Sequence, residues 1–166
     1  MIKRRLRGTI LFLINTLLKG NRFWTLKRFL LNKVGCAIGR NTKIVGPIKI
    51  GVCADLCIGE NCWIGENLSI YGNDKVVIGD GCDLAPNICF ATGTHDIGDH
   101  NRRAGDGYCK PITIGNGCWI GINSTILANV NISDGCIIGA GSVVTHSFEE
   151  DCLIAGIPGK NKKMLD

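Results

Sequence analysis

Three histidines are the side chains best suited to acid–base chemistry in this sequence of 166 residues: His95, His100 and His146. An imidazole titrates near neutral pH, so it can take a proton from a hydroxyl group or bind a metal ion. His95 opens an irregular segment of charged and small residues, whereas His146 stands near the C-terminal end. We therefore take His95 as the candidate catalytic residue and His100 as a weaker one, and we expect His146 to be incidental.

Ten cysteines are a second source of chemistry, but their spacing argues against a metal site. The sequence has no C-x-x-C pair, and no histidine precedes His95, so the short ligand spacings of a zinc site are missing. We expect no bound metal, and we expect reduced thiols that serve mainly as small apolar side chains. Cys109, inside the irregular segment, is the thiol to test for reactivity.

A six-residue period determines where these residues stand. From Ile38 onward an apolar residue recurs in steps of six, apart from two steps with two extra residues and one long interruption, and this period fits neither an α-helix nor an ordinary β-strand. The period predicts an all-β fold, a left-handed parallel β-helix in which three hexads form one coil and about fifteen hexads form about five coils. The apolar anchors are Ile38, Ile44, Ile50, Ile58, Ile64, Ile70, Ile78, Leu84, Phe90, Ile114, Ile120, Ile126, Ile132, Ile138 and Val144.

The fifth residue of each hexad should also face inward, close to a corner, where a small side chain fits. Gly, Asn and Asp at the third and fourth places suit the tight backbone of that corner. By this count Phe90 points inward and His95 points outward. The small inward residues are Thr42, Ala54, Cys62, Cys82, Thr94, Cys118, Ser124, Cys136 and Ser142.

One long interruption, residues 96–111, leaves the repeat directly after His95. A long irregular excursion from a regular scaffold is usually functional. We therefore divide the chain into a basic amphipathic helical segment (1–34), a β-helix domain with an extruded loop (35–157, loop 96–111) and a basic tail (158–166).

Charge is divided unevenly along the chain. Residues 1–54 carry twelve Lys or Arg and no acid, whereas the remaining seven bases and all fourteen acids follow from Asp55 onward. No nucleic-acid-binding signature accompanies the basic segment, and its apolar stretch is about half of the ~20 residues that a membrane span needs. We expect a cytoplasmic protein, and its first 34 residues either only cap the first coil or cap it and also contact the inner membrane surface.

The repeat, the segment GTHDI at the loop, PITIGNGCWIG (111–121), IIGAGSVVT (137–145) and AGIPGK (155–160) together resemble the hexapeptide acyltransferases. The resemblance covers about residues 36–163 and is greatest to the maltose, galactoside and nodulation-type sugar O-acetyltransferases and to relatives that acetylate surface polysaccharides. It implies an acetyl-CoA-dependent O-acetyltransferase that acts on a sugar hydroxyl. It also implies a homotrimer with active sites between subunits.

Residue roles follow from the same resemblance. His95 matches the general base, and the positions that bind acetyl-CoA match Trp119, Gly121, Ile122, Ala140, Thr145, Lys160 and Lys163. The maltose and galactoside enzymes carry an acceptor-binding asparagine where this chain has Gly65, with Asn67 two residues on. Acceptor contacts are therefore assigned to Asn67 and, from their place in the loop, to Asp96, Arg102 and Arg103.

Three other interpretations stay open at this point. A γ-type carbonic anhydrase uses the same solenoid, but only His95 and His100 are available where three zinc ligands are needed. Serine acetyltransferase shares the repeat and the chemistry, but it has a large acidic N-terminal domain in place of this basic segment. A non-catalytic trimeric scaffold is the remaining alternative, and it predicts that His95 is dispensable.

Overall fold

The computed structural model describes residues 2–166, with side chains from residue 6 onward, so Lys3, Arg4 and Arg5 of the basic segment lie outside the described side chains. Two helices, α1 (Ile2–Thr16) and α2 (Trp24–Lys33), precede nineteen short strands. The strands are β1 (Ala37–Ile38), β2 (Lys43–Ile44), β3 (Ile48–Ile50), β4 (Asp55–Ile58), β5 (Trp63–Ile64), β6 (Leu68–Tyr71), β7 (Lys75–Ile78), β8 (Asp83–Leu84), β9 (Cys89–Ala91), β10 (Gly93–Ile97), β11 (Ala104–Cys109), β12 (Ile112–Ile114), β13 (Trp119–Ile120), β14 (Thr125–Leu127), β15 (Asn131–Ile132), β16 (Ile137–Ile138), β17 (Val143–Val144), β18 (Cys152–Ala155) and β19 (Lys160–Met164).

Successive strands join three parallel sheets in turn, and this arrangement is the β-helix that the period predicts. Sheet A contains β1, β4, β7, β12 and β15; sheet B contains β2, β5, β8, β13, β16 and β18; sheet C contains β3, β6, β9, β14 and β17. The register keeps equivalent residues of neighbouring coils together, as in the row Ile38, Ile58, Ile78, Ile114 and Ile132 of sheet A. Each coil therefore stacks its anchors on those of the next coil.

The anchors form a continuous core inside the three sheets. All fifteen predicted anchors are at most 6% exposed, which confirms the period. The prediction of a tight corner is confirmed at the fourth place of the hexad, where the backbone has a positive φ. Asparagine and glycine adopt this conformation more readily than other residues, because one has a short side-chain amide and the other has no side chain. The fourth-place residues with positive φ are Asn41, Asn61, Asn67, Gly81, Asn87, Gly117, Asn123, Asn129, Gly135 and Gly141.

Two predictions need correction. The β-helix continues into a partial sixth coil, because Phe148 bridges to Ile132 and β18 adds Ile154 to the core. Thr94 was expected to point inward, but it is half-buried and belongs to a hairpin. Thr92 takes the buried place instead, and its hydroxyl donates to the carbonyl of Tyr71 at 3.0 Å. The chain leaves the coil at residue 93, so the buried place at this corner falls two residues earlier than the count assumes.

The helices close the open end of the first coil by supplying the hydrogen bonds that a preceding coil would make. The amide of Asn32 bonds to both the N–H and the carbonyl of Ile38, on the edge of sheet A. The amide of Asn15 does the same for Ile48, on the edge of sheet C. Because a buried backbone group without a partner is costly, these two asparagines substitute for missing strands.

Two buried cations complete this cap. Lys27 is 0% exposed, and its Nζ donates to the carbonyls of Gly20, Ile44 and Val45 at 2.6–2.8 Å, on the edge of sheet B. Arg7 is 2% exposed and donates to several carbonyls, with the one from Nη1 to Val52 at 3.3 Å. Burial lowers the pKa of Lys27. The basic segment therefore has a capping role that its amphipathic pattern only suggested.

No helix within residues 2–166 is long and apolar enough to cross a membrane. At the opposite end, β19 pairs antiparallel with β18 and covers the last edge of sheet B. Its exposed lysines, Lys160, Lys162 and Lys163, leave a charged edge that discourages pairing with another chain.

Candidate active site

A β-hairpin leaves the β-helix at the corner that joins sheet C to sheet A. It consists of β10 and β11, paired antiparallel between β9 and β12, with Gly93 opposite Cys109 and His95 opposite Gly107. The predicted loop at 96–111 is thus an ordered hairpin that begins three residues earlier. The pairing holds His95 on a strand rather than on a free loop, so the direction of its side chain is fixed by the register.

His95 is exposed and faces a cavity of about 440 Å³ on the hairpin. Its imidazole lies over Gly107, where a Cβ atom would be 3.3 Å from Nε2. The polar residues that line the cavity with His95 are Asp99, Arg102 and Asp106. An exposed imidazole with one face on a glycine and an open cavity beside it can accept a proton from a bound hydroxyl group.

The turn of the hairpin places the two arginines predicted to bind the acceptor in different positions. Asp99 accepts hydrogen bonds from the backbone N–H groups of Asn101 and Arg102 at 2.8 and 3.1 Å, which fixes the turn. Arg102 lines the cavity, whereas Arg103 folds back to donate from Nη1 to the carbonyl of Gly98 at 3.4 Å. The side chain of Asp96 is exposed on β10 and does not line this cavity.

Several residues predicted to bind acetyl-CoA line up along a different corner, which joins sheet B to sheet C. The N–H of Gly121 donates to the carbonyl of Ile138 at 2.7 Å, and a Cβ atom at Gly121 would strike the backbone of Ala140. Ile122 and Ala140 are exposed there on successive coils. Lys160 pairs with Ala155 of the sixth coil, which lies beside Gly139. These residues form one edge, called the B–C edge below.

Trp119 and Lys163 belong to the outer face of sheet B beside this edge. The register places Trp119 next to Ile137, Ile137 next to Leu153, and Leu153 next to Lys163. Trp119 is 55% exposed, so it is free to contact a ligand or another subunit. Thr145 is the exception, because it follows β17 and lies on the same corner as the hairpin of His95.

Within one chain the two groups of site residues are separated by sheet C. Its strands begin at the B–C edge and end at the corner from which the hairpin leaves. The cavity beside His95 includes none of Trp119, Gly121 or Ala140. One chain therefore carries the two groups of predicted site residues on opposite edges of sheet C.

Asn67 has a structural role at the B–C edge of the second coil. Its φ is 59°, and its Nδ2 donates to Oδ1 of Asn87 at 2.9 Å, while Asn87 donates to Asn123 at 3.0 Å. A side chain at Gly65 would meet the backbone of Ala85 and Pro86, with a Cβ atom 2.7 Å from the Ala85 carbonyl carbon. The corner in this chain is thus packed too tightly for an asparagine at position 65.

Inward thiols on successive coils form a buried column. Cys62, Cys82, Cys118 and Cys136 are at most 2% exposed, and the register adds Cys152 as a fifth member that the hexad count missed. The first four thiols donate to carbonyls of the next coil at 3.0–3.2 Å. Hydrogen bonding from Cys82, whose backbone N–H lies 3.4 Å from the sulfur of Cys62, lowers the pKa of the Cys62 thiol. Among residues 6–166 no cluster of three His, Cys, Asp or Glu side chains is able to hold a metal ion.

Cys109 is half-buried at the base of the hairpin, and its sulfur accepts a hydrogen bond from the N–H of Asn73 at 3.4 Å.

Sequence reasoning overlooked Asp99, Asp106 and Gly107, which line the cavity with His95. The alternation of glycine with other residues in 105–107 is the signal that was available, because a strand that faces a functional side chain needs room there.

Comparisons with known proteins agree with the fold. The bacterial transferase hexapeptide family (six repeats) matches residues 111–146, and the hexapeptide repeat of succinyl-transferase matches residues 56–89. The chain is 34% identical to galactoside O-acetyltransferase of Escherichia coli K12 over 78% of its own length and 64% of the relative, so it spans just under two thirds of that protein. It is 30% identical to the putative colanic acid biosynthesis acetyltransferase WcaF of Escherichia coli K12, over 80% of this chain and 71% of the relative.

A solved structure of galactoside acetyltransferase in complex with coenzyme A has a similar fold. The two superpose with a TM-score of 0.79 and 26% identity, over 99% of this chain and 81% of the other.

Proposed function

This chain belongs to the hexapeptide-repeat acetyltransferase family, and on that basis we propose that it transfers an acetyl group from acetyl-CoA to a hydroxyl group of a sugar. The observation that carries the proposal is the outward His95, held by strand pairing beside an open cavity. The likeness to galactoside and colanic acid acetyltransferases supports a sugar acceptor and a place in surface polysaccharide synthesis.

In the proposed reaction His95 acts as the general base. A hydroxyl group is a poor nucleophile until its proton is removed, and a positioned imidazole contributes about 10²–10⁴-fold to the rate. Acetyl-CoA supplies the thioester carbonyl that the hydroxyl oxygen attacks.

Acetyl-CoA is assigned to the B–C edge and to the adjoining face of sheet B. Gly121 lets the backbone of Ala140 on the next coil approach closely, and the small side chain of Ala140 stands exposed on the edge, which suits a pantetheine arm that is held mainly by main-chain groups. Lys160 and Lys163 stand exposed at the end of this edge, where ammonium groups suit the phosphates of CoA. A solved relative holds coenzyme A, which supports the same ligand for this chain.

A homotrimer completes the site in this proposal. The two groups of predicted site residues lie on opposite edges of sheet C, so the hairpin of one chain can meet the B–C edge of another. Repeating that heterologous contact around an axis closes a ring with sheet C on the inside. The base and the thioester are then brought together by the assembly, and holding them in the right orientation speeds the reaction.

The acceptor is assigned to the cavity on the hairpin. Arg102 shares the cavity with His95, so its guanidinium is placed to hold hydroxyl groups or the carboxylate of an acidic sugar. Asp96 and Arg103 flank the cavity and stay secondary assignments, as does Asn67 on the B–C edge of a neighbouring chain. Replacing Arg102 by Ala should raise the acceptor KM more than replacing Arg103 by Ala.

The test is acetyl transfer from acetyl-CoA to a panel of sugars and to serine, with the wild-type protein and two variants. His95→Ala should lower kcat by about 10²–10⁴-fold with little change in acetyl-CoA binding. His100→Ala is the matched control, because this exposed histidine on the same hairpin lies outside the cavity. Transfer to serine alone would establish a serine acetyltransferase, and unchanged activity of His95→Ala would remove the general base from the proposal.

A further inference from the structure

The β-helix converts the uneven charge of the sequence into a charge separation in space. Each coil stacks on the one before it, so position along the chain becomes position along the axis. Residues 2–54 make the helical cap and the first coil, and they contain twelve bases and no acid. The chain from Asp55 onward contains fourteen acids and seven bases. The capped end is therefore strongly positive, and the rest of the β-helix is negative.

The same end exposes large apolar side chains on the sides of the helices that face away from the coil. Ile14 and Leu31 point into the core and are 0% exposed, whereas Phe12 is 68% exposed. Large exposed apolar side chains that are concentrated in one segment mark an interaction surface more often than isolated ones do. The exposed set, 43–73% accessible, is Leu6, Phe12, Leu17, Phe23, Leu26 and Phe29.

Cations stand among these apolar side chains. Nζ of Lys33 lies 5.2 Å from the centre of the Phe29 ring, and Nζ of Lys43 lies 4.9 Å from the Trp24 ring. Two open cavities run along α2: one of about 590 Å³ is lined in part by Trp24, Arg28 and Lys43, with Asp83 at its side, and one of about 560 Å³ by Arg28 and Lys33. Lys19 and Arg22 are exposed in the connection between the helices.

We propose that this surface, called the cap face and made of the six exposed apolar residues with Lys19, Arg22, Arg28 and Lys33, docks on a bilayer that contains anionic phospholipids. Exposed Phe and Leu beside Lys and Arg fit a headgroup region, which offers phosphates at its surface and hydrocarbon just below. The helix α1 has 15 residues, fewer than the ~20 of a membrane span, so it lies along the surface.

The charges and apolar side chains of the cap face favour a bilayer over a second copy of the chain as its partner. A second copy offers acids on its β-helix, but Ile97 and Ile157, its most exposed large apolar residues outside the cap, lie on different parts of the fold, one on β10 and the other after β18. A bilayer supplies negative charge and an apolar layer over one broad area. The negative body of the protein would also be repelled by the same surface, which orients the cap toward the lipid.

The test is sedimentation of the full chain with vesicles of phosphatidylcholine, with and without phosphatidylglycerol. We expect binding to the anionic vesicles that weakens with salt, and little binding to phosphatidylcholine alone. Arg22→Ser with Lys33→Ser should weaken binding about thirtyfold, from about 1 kcal/mol for each charge. Phe12→Ser with Phe29→Ser should weaken it about tenfold or more, because both rings are exposed in the free protein.

Ile97→Ser with Lys75→Ser is the matched control, since it removes one exposed apolar side chain and one cation away from the cap. Equal losses in the control and in the cap variants would overturn the proposal, as would equal binding to both kinds of vesicle. An absence of vesicle binding, together with a change in oligomer mass for Phe12→Ser with Phe29→Ser in analytical ultracentrifugation, would assign the cap face to contact between copies. Circular dichroism checks that each variant stays folded.

Discussion

His95 and Gly107 face each other across the hairpin, and a Cβ atom at position 107 would lie 3.3 Å from both Nε2 and Cδ2 of the imidazole. Contacts this short force one of the two groups to move. The absence of a side chain at position 107 therefore permits the orientation of the proposed base. The backbone of Gly107 does not need glycine for its own conformation, since its φ is not in the positive region.

Gly107→Ala should lower kcat about tenfold or more, and Gly107→Val should lower it further, because the imidazole is pushed away from its position in the cavity. Steady-state kinetics with saturating acetyl-CoA measures the effect. Gly93→Ala is the control on the same hairpin, because its new Cβ would meet Gly72 at an ordinary 3.6 Å. Equal kcat for Gly107→Val and the wild type would show that the ring orientation is not required.

A site shared between chains predicts that two inactive variants restore each other. His95→Ala removes the base, and Ala140→Glu blocks the B–C edge with an exposed charge. In mixed trimers, some sites combine an intact hairpin from one chain with an intact edge from its neighbour, about a quarter of all sites after random mixing. Activity of the mixture, measured after joint refolding, should rise well above that of either variant. A mixture as inactive as its components would indicate a site within one chain.

Acetyl-CoA binding should depend on the B–C edge separately from the base. Lys160→Ala with Lys163→Ala should raise the KM for acetyl-CoA about three- to tenfold, and the difference should shrink as salt increases, because exposed charges are screened. The kcat should change little. Lys75→Ala is the matched control on the face of sheet A. A lower kcat with an unchanged KM would place these lysines outside the CoA-binding region.

The stability of the fold should depend strongly on the buried cations of the cap. Lys27→Met fills a similar volume but leaves the carbonyls of Gly20, Ile44 and Val45 without their donor. We expect a loss of about 2–4 kcal/mol in the free energy of unfolding, measured by urea denaturation. Lys33→Met, on the exposed side of α2, should change it by about 0.5 kcal/mol or less. Similar losses of stability for Lys27→Met and Lys33→Met would mean that the removal of a positive charge, and not the loss of a buried hydrogen-bond donor, causes the effect.

Alkaline pH should destabilise the protein through Cys36. Burial raises the pKa of this thiol to about 11, with Arg7 partly opposing the effect. The unfolded thiol ionises from about 8.5 upward, so between these values the folded state holds the proton longer and stability falls as pH rises. Cys36→Ala should therefore lose less stability than the wild type between pH 8.5 and about 11. Cys53→Ala, which removes an exposed thiol, should follow the wild type.

The sequence by itself determined the β-helix, because a six-residue repeat of buried anchors is a local rule that each coil obeys in the same way. Ile44, Ile64 and Ile138 could be assigned to the core without knowledge of the rest of the chain. The outward direction of His95 followed from the same count, although Thr94 was misplaced where the hairpin departs from the repeat.

Only the tertiary structure decided what lies between distant parts of the chain. The partnership of His95 with Gly107 depends on antiparallel register, and the capping contacts of Lys27 depend on how α2 meets the first coil. The separation of His95 from Ala140 by sheet C depends on which corner each residue occupies. A period fixes inside and outside along one strand, but contacts across a hairpin or between a helix and a coil depend on chain direction and packing, which a repeat does not encode.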